Sequence, residues 1–250
     1  ISNDHFRLEV KDRGKDGKIP ILVLLKTLDR ETKKSHKLLL TAIDGGKPSK
    51  SGTAEIIVDV LDVNDNMPVF NEDTYSIEIY ENVSVGTTVT RVNATDQDEG
   101  ANGEIEYRLS KALARKVYEI FELDSSSGII KLKGALDFEG TEIYKIDIEA
   151  SDKGTPPLTS RCRVVIKIKD INDNPPEIEV TSLSNTVSED SKPGTIIALI
   201  SVMDKDSGVD GKIISTINND VPFELKPSYK ENTYSVVTKG LLDRDSPTQL

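Results

Sequence analysis

The sequence predicts an all-β chain built as tandem antiparallel sandwiches set end to end. Three observations carry that reading. Apolar and polar residues alternate with a period of two, turn residues cluster between the alternating runs, and a block of motifs returns after 108 residues. Asp62-Val63-Asn64-Asp65-Asn66-Met67-Pro68 comes back as Asp170-Ile171-Asn172-Asp173-Asn174-Pro175-Pro176. Leu28-Asp29-Arg30-Glu31 returns as Leu136-Asp137-Phe138-Glu139, and Ala42-Ile43-Asp44 as Ala150-Ser151-Asp152. Glu81 pairs with Glu189, Gly86 with Gly194, and Asp96-x-Asp98 with Asp204-x-Asp206 in the same register.

The period divides the chain into the last part of one unit (residues 1–66), a full unit (67–174) and the first part of another (175–250). The third Leu-Asp motif, Leu242-Asp243-Arg244-Asp245, falls 106 residues after the second, so a small deletion separates them. The array is expected to be a fragment of something longer.

Along the full unit, Tyr75, Ile77 and Ile79 alternate with Ser76, Glu78 and Tyr80, which predicts a half-buried strand. Lys111 to Tyr118 is the exception and is compatible with a turn or two of helix. In Arg161 to Lys169 one parity reads Cys162, Val164, Ile166, Ile168; the other carries Arg161, Arg163, Lys167 and Lys169. Gly45-Gly46-Lys47-Pro48 and Lys153-Gly154-Thr155-Pro156-Pro157 mark turns. About seven such strands in ~100 residues is the size of a sandwich.

Composition narrows the function classes. With 43 acidic against 32 basic side chains the formal charge is −11, which disfavours nucleic acid, since phosphate binding needs clustered Lys and Arg. No run approaches the ~20 apolar residues that span a bilayer. The opening residues Ile1 to Phe6 lack the basic and apolar regions of a signal peptide. A single cysteine, Cys162, excludes an internal disulfide and a thiolate cluster, and His5 and His36 are too few for a histidine-rich metal centre. No Ser-His-Asp, zinc or phosphate-loop pattern points to an enzyme or to a small-molecule substrate.

The carboxylates gather at the unit boundaries. The first boundary collects Asp29, Glu31, Asp62, Asp65, Asp96, Asp98 and Asp152, with amide oxygens from Asn64 and Asn66. The second collects Glu81, Asp137, Glu139, Asp170, Asp173, Asp204, Asp206 and Asp210. Two carboxylates 4 Å apart repel by roughly 4 kcal/mol at an effective dielectric near 20. A hard cation taking oxygen ligands turns that repulsion into binding, which favours calcium over zinc or copper. A single Asp-x-Asp is more often a solvated turn, and the EF-hand loop does not match here: Gly208, Val209 and Ser215 stand where it needs other residues. Repetition of the whole constellation is what argues for a site.

These motifs together resemble the cadherin extracellular repeat, over essentially the whole chain. More narrowly, Phe6 to Val10, Leu22 to Leu24, Val92 to Asp96, Gly100 to Ile105 and Ser188 to Gly194 look like the second, third and fourth repeats of clustered protocadherins. The resemblance implies seven-stranded Greek-key sandwiches and three Ca2+ ions per junction. It also implies a stiff cell-surface ectodomain that adheres by antiparallel pairing with an identical ectodomain on an apposed cell, joined to the membrane by a segment outside this sequence. By motif, the first junction would take Asp29, Glu31, Asn64, Asp65, Asp96, Asp98 and Asp152, with carbonyls of Val63, Asn66 and Asn102. The second would take Glu81, Asp137, Glu139, Asn172, Asp173, Asp204 and Asp206, with carbonyls of Ile171, Asn174 and Asp210. Asp210 stands where the family has Asn, and the outer ligands expected near positions −27 and 258 fall outside the sequence, so both sites are expected to be imperfect. A heterophilic cadherin-class receptor is the alternative.

Asn82-Val83-Ser84 and Asn93-Ala94-Thr95 satisfy the glycosylation sequon, with Asn93 preferred because Asn82 adjoins Glu81. Cys162 is expected to be a buried, inert thiol, and the basic face of its strand to be solvated or to meet an acidic partner.

Overall fold

A computed structural model describes residues 4–243; Arg244 and Asp245 of the third Leu-Asp motif lie outside the described residues. The N-terminal strands are β1 (Phe6–Asp12), β2 (Lys18–Leu24), β3 (Ser35–Ile43) and β4 (Ser51–Asp59). They form two antiparallel hairpins, β1–β2 and β3–β4, which face each other across a groove lined by Phe6, Leu8, Leu22, Leu38 and Ile56.

The middle of the chain holds β5 (Val69–Phe70), β6 (Thr74–Tyr80), β7 (Thr88–Arg91), β8 (Ala94–Thr95) and β9 (Glu106–Leu109). After them come α1 (Arg115–Ile120), β10 (Phe121–Leu123), β11 (Ile129–Leu132), β12 (Ile143–Ser151) and β13 (Thr159–Lys169). Two layers result: a four-stranded sheet ordered β6-β13-β12-β9, and β10-β11-β7 with the short pair β5-β8. The helix sits a few residues beyond the stretch the sequence suggested. Its first residue follows Ala114, and it buries only Val117.

The core follows from parity. β12 presents Tyr144, Ile146, Ile148 and Ala150 inward, and β13 presents Cys162, Val164, Ile166 and Ile168. The register sets Ile146 opposite Val164 and Ile148 opposite Cys162, so the two apolar sets fall on one face. Val92, Ile130, Leu132 and Phe121 close over them from the other layer, and Phe121 meets the Tyr144 ring edge-on at 5.1 Å. Burying each such aliphatic side chain contributes about 1.5–3 kcal/mol.

The outward face of β13 is paired within its own sheet. Arg163 makes two hydrogen bonds to Asp147, at 2.7 and 3.0 Å, Arg161 lies 2.7 Å from Glu149, and Lys169 lies 2.9 Å from Glu78. Cross-strand register places Asp147 and Glu149 directly opposite those arginines, so the basic stripe is balanced by local carboxylates.

One pairing departs from the antiparallel expectation. β5 pairs with β8 in one layer; the chain then bends at Asn71 to Asp73 and continues as β6 in the other. There it lies parallel to β13, from Thr74 opposite Arg163 to Tyr80 opposite Lys169. The first and last long strands of the unit thus run side by side in the same direction.

The C-terminal strands β14 (Glu177–Leu183), β15 (Ile196–Met203), β16 (Phe223–Pro227) and β17 (Thr233–Thr238) form one sheet ordered β14-β15-β17-β16. Ala198, Val202 and Val237 are buried on it, whereas every residue of β14 is exposed.

Candidate metal centres

Each linker begins where a long strand ends. β4 stops at Asp59 and β5 opens at Val69 behind a fully buried Pro68; β13 stops at Lys169 and β14 opens at Glu177 after Pro175-Pro176. Proline has no N–H for a ladder, so pairing cannot run through the boundary.

Both linkers build the same hydrogen-bonded unit. Asn66 donates its backbone N–H to Asp98 Oδ2 (3.1 Å) and its Nδ2 to Asp98 Oδ1 (2.7 Å) and Asp65 Oδ1 (2.8 Å). Asn174 donates its N–H to Asp206 Oδ1 (3.1 Å) and its Nδ2 to Asp206 Oδ1 (2.8 Å) and Asp173 Oδ1 (2.7 Å). The N–H of Asp98 donates to Asp96 Oδ1, and that of Asp206 to Asp204 Oδ1, both at 3.0 Å. The Asp-x-Asp loop is therefore fastened to the linker, with Asp98 and Asp206 buried beneath it. Gly103 and Gly211 permit the fold-back: a Cβ there would sit 2.2 Å from the Asp98 carbonyl oxygen or 2.0 Å from that of Asp206.

Other groups converge on the same two places. Asp62 Oδ2 accepts the Glu99 N–H (3.0 Å) and Asn102 Nδ2 (2.8 Å), and Asp170 Oδ2 accepts the Ser207 N–H (2.5 Å). Asp152, 3% exposed, accepts from the N–H groups of Gly154 and Leu158, while Asn64 Nδ2 reaches Asp152 Oδ1 (3.2 Å) and the Pro156 carbonyl (2.7 Å). Glu81, at the end of β6, is buried; its two oxygens accept the Phe138 N–H (2.7 Å) and the Ile171 N–H (3.1 Å).

Carboxylates gather accordingly. Glu31, Asp62 and Asp98 place oxygens within 4.8 Å of one another at the first boundary. At the second, Glu81, Asp137 and Glu139 do the same, and so do Glu139, Asp173 and Asp206, with Glu139 shared. Asp29, Asp65, Asp96, Asp152, Asp170 and Asp204 stand outside these tightest groups. Asp29 is turned to Thr32, whose N–H and hydroxyl it accepts at 3.0 and 2.8 Å. The Val63 carbonyl accepts the Asp65 N–H at 2.9 Å; Asn172 and Asp210 are exposed.

The electrostatics mark where positive charge is wanted. Burial pushes the Asp96 carboxyl up, against the Asp98 N–H and with the Asp98 and Asp152 charges. A backbone hydrogen bond pulls Glu139 down, yet burial, Asp137, Glu81 and Asp173 leave it raised. Burial also opposes ionisation of Asp62 and Asp170, but hydrogen bonds from Glu99, Asn102 and Ser207, with the Arg30 charge beside Asp62, hold both low.

Buried oxygens without a hydrogen-bond donor supply the test of fit. Asn64 Oδ1, Asp96 Oδ2 and Asp170 Oδ1 are in that condition, as are Glu31 Oε1 and Asp62 Oδ1, which lie beside the Arg30 guanidinium. All are hard oxygen donors next to a boundary, and they suit a calcium ion.

Sequence reasoning passed over Arg30. The motif Leu-Asp-Arg-Glu drew attention to its acids, but the arginine is 5% exposed and reaches Asp62, Glu31 and Glu99. The available signal was its replacement by Phe138 one period later.

Residues 75–169 match the family model described as the cadherin domain. Human protocadherin alpha-6 is 49% identical over 245 residues, covering 98% of this chain and 26% of that protein. This chain belongs to the cadherin superfamily. Its relatives there are clustered protocadherins, and it spans about a quarter of the length of the curated relatives it matches. The solved structure of protocadherin gamma B2 extracellular cadherin domains 1–5 superposes with a TM-score of 0.88 at 43% identity, over 98% of this chain and 46% of that one. Domains 1–4 of protocadherin gamma B7 give 0.83 at 46% identity, over 98% and 58%. The tandem all-β architecture expected from the sequence is the cadherin architecture, and the acidic linkers fall between its successive sheets.

Proposed function

We propose that this cadherin segment binds Ca2+ at both linkers and uses it to stiffen a cell-surface adhesion rod. The observation that carries the proposal is the duplicate network: the same Asn–Asp unit, 108 residues apart, beside buried carboxylate oxygens that lack donors. Glu31, Asp62, Asp65, Asp96, Asp98 and Asp152 would hold the metal at the first linker, with Asp29 turning from Thr32. Glu81, Asp137, Glu139, Asp170, Asp173, Asp204 and Asp206 would do so at the second. Bound calcium would supply only charge and coordination, joining oxygens from both sides of a linker; the chain contributes the prearranged cradle.

Stiffness matters because a long interface forms with little ordering cost when its modules are already aligned. The partner we propose is an identical ectodomain on an apposed cell, paired antiparallel, with membrane attachment supplied by another part of the polypeptide. No helix among the described residues is long and apolar enough to cross a membrane.

Small-angle scattering through a calcium titration tests the junctions. Calcium is expected to lengthen the particle and narrow its shape distribution, with reversal by chelator. No change in shape or melting at millimolar calcium would overturn the metal reading. Mixing two tagged cell populations that display different isoforms tests the partner: segregation supports homophilic pairing, and intermixed aggregates would favour a heterophilic receptor.

A further inference from the structure

The two linkers share most of their acids but differ in their cations. Arg30 donates from Nη2 to the Gln97 carbonyl at 3.0 Å and lies 3.2 Å from Glu99, so it crosses from the unit before the first linker to the unit after it. Its Nε lies 2.5 Å from Asp62 in the linker itself, and Lys34 adds a second crossing contact to Glu99 at 2.8 Å. One period on, Phe138 stands in place of Arg30, Ser207 in place of Glu99 and Glu142 in place of Lys34. Asn102, whose amide ties Asp62, is matched by Asp210, a carboxylate that cannot donate when ionised.

We propose that the first junction carries its own protein cation, Arg30, which ties the flanking units without metal, while the second, held among the described residues by hydrogen bonds and no crossing ion pair, depends far more on metal. Arg30 and Glu99 are exchanged together for Phe138 and Ser207, so the crossing ion pair is lost, and the exchange of Lys34 for Glu142 and of Asn102 for Asp210 leaves the second junction more negative. A guanidinium this buried, facing three carboxylates, is less screened by solvent than a surface pair, and Nη2 adds a hydrogen bond to the Gln97 carbonyl, although Nε and Nη1 lie close to their acids without hydrogen-bond geometry. Calcium withdrawal therefore loosens the chain at residues 170–174 before residues 62–66, making the second linker the calcium-sensing hinge. This inference rests on the calcium reading given above for its physiological trigger, but its structural part concerns the metal-free chain.

Hydrogen exchange of the whole chain, read at the amides of 62–66 and 170–174, separates the two. In excess chelator the first window is expected to exchange about 10-fold more slowly than the second, after correction for intrinsic rates. The pair Arg30→Phe with Glu99→Ser should abolish that difference, and Phe138→Arg with Ser207→Glu should slow the second window. Unaltered protection of β12 and β13 shows that each variant is folded. Equal exchange of both windows in chelator, or a difference that survives the first pair of substitutions, would overturn the proposal. The calcium-loaded arm is a separate readout: if millimolar calcium fails to protect 170–174, the metal reading fails while the chelator arm still decides the role of Arg30.

Discussion

Gly103 and Gly211 show how a residue without a side chain fixes a charged site. Each lies where any Cβ would strike the carbonyl of the buried aspartate five positions earlier. Gly103→Ala should cost about 2 kcal/mol or more and weaken calcium binding at the first linker, whereas Gly100→Ala, where a Cβ meets nothing but φ is +59°, should cost about 1 kcal/mol. Urea unfolding with and without calcium measures both. Cys162 offers a second test. Burial, helped by the Asp147 charge, pushes its thiol up to about 12. The folded chain keeps the proton while the unfolded chain releases it near pH 8.5, so stability should fall as pH rises from about 8.5 towards 12. That part of the decline should be missing in Cys162→Val, and thiol labelling at pH 8 should be at least ~100-fold slower than in urea. The inert thiol was legible from parity. The accessibility of the sequons was not: Asn82 is exposed because Glu81 turns inward and leaves its neighbour outside, while Asn93 is half-buried with its backbone against Tyr75.

Among elements, β12 and β13 were the most readable, because strict alternation leaves one way to bury Tyr144, Ile146 and Ile148 against Val164 and Ile166. Ile166→Ala should destabilise the chain by about 2–4 kcal/mol, since Ile166 is 0% exposed and the sheet cannot close over the gap. Calorimetry would detect it as a lower melting temperature with calcium affinity kept. The same alternation misleads for β14, where Ile178 and Val180 are exposed because no second layer packs on them among the described residues. The parallel placement of β6 was also illegible. Period two says which side chains face inward but nothing about strand direction, and the decisive bend at Asn71 to Asp73 carries no apolar pattern.

Over the whole molecule, the acids of the candidate centres could be read from spacing because they recur as a block. Their cationic complement could not, since Arg30 does not recur at 138. Which acids touch was equally hidden: Glu81 reaches Phe138 and Ile171 across 57 and 90 residues of chain. Glu81→Gln, which keeps an acceptor but removes the charge, should lower calcium affinity at the second linker by about 10-fold or more and leave the first unchanged. Calorimetric titration of wild type and variant would show one class of sites shifting; an equal shift of both would contradict the assignment. The side-by-side course of β6 and β13 has a further, mechanical consequence. Tension applied through the two linkers drags β6 towards Met67 and β13 towards Asn174, in opposite directions along a shared seven-residue register. The load is shear, borne by every bond of that ladder at once rather than peeled away one at a time, which suits the adhesion rod proposed above.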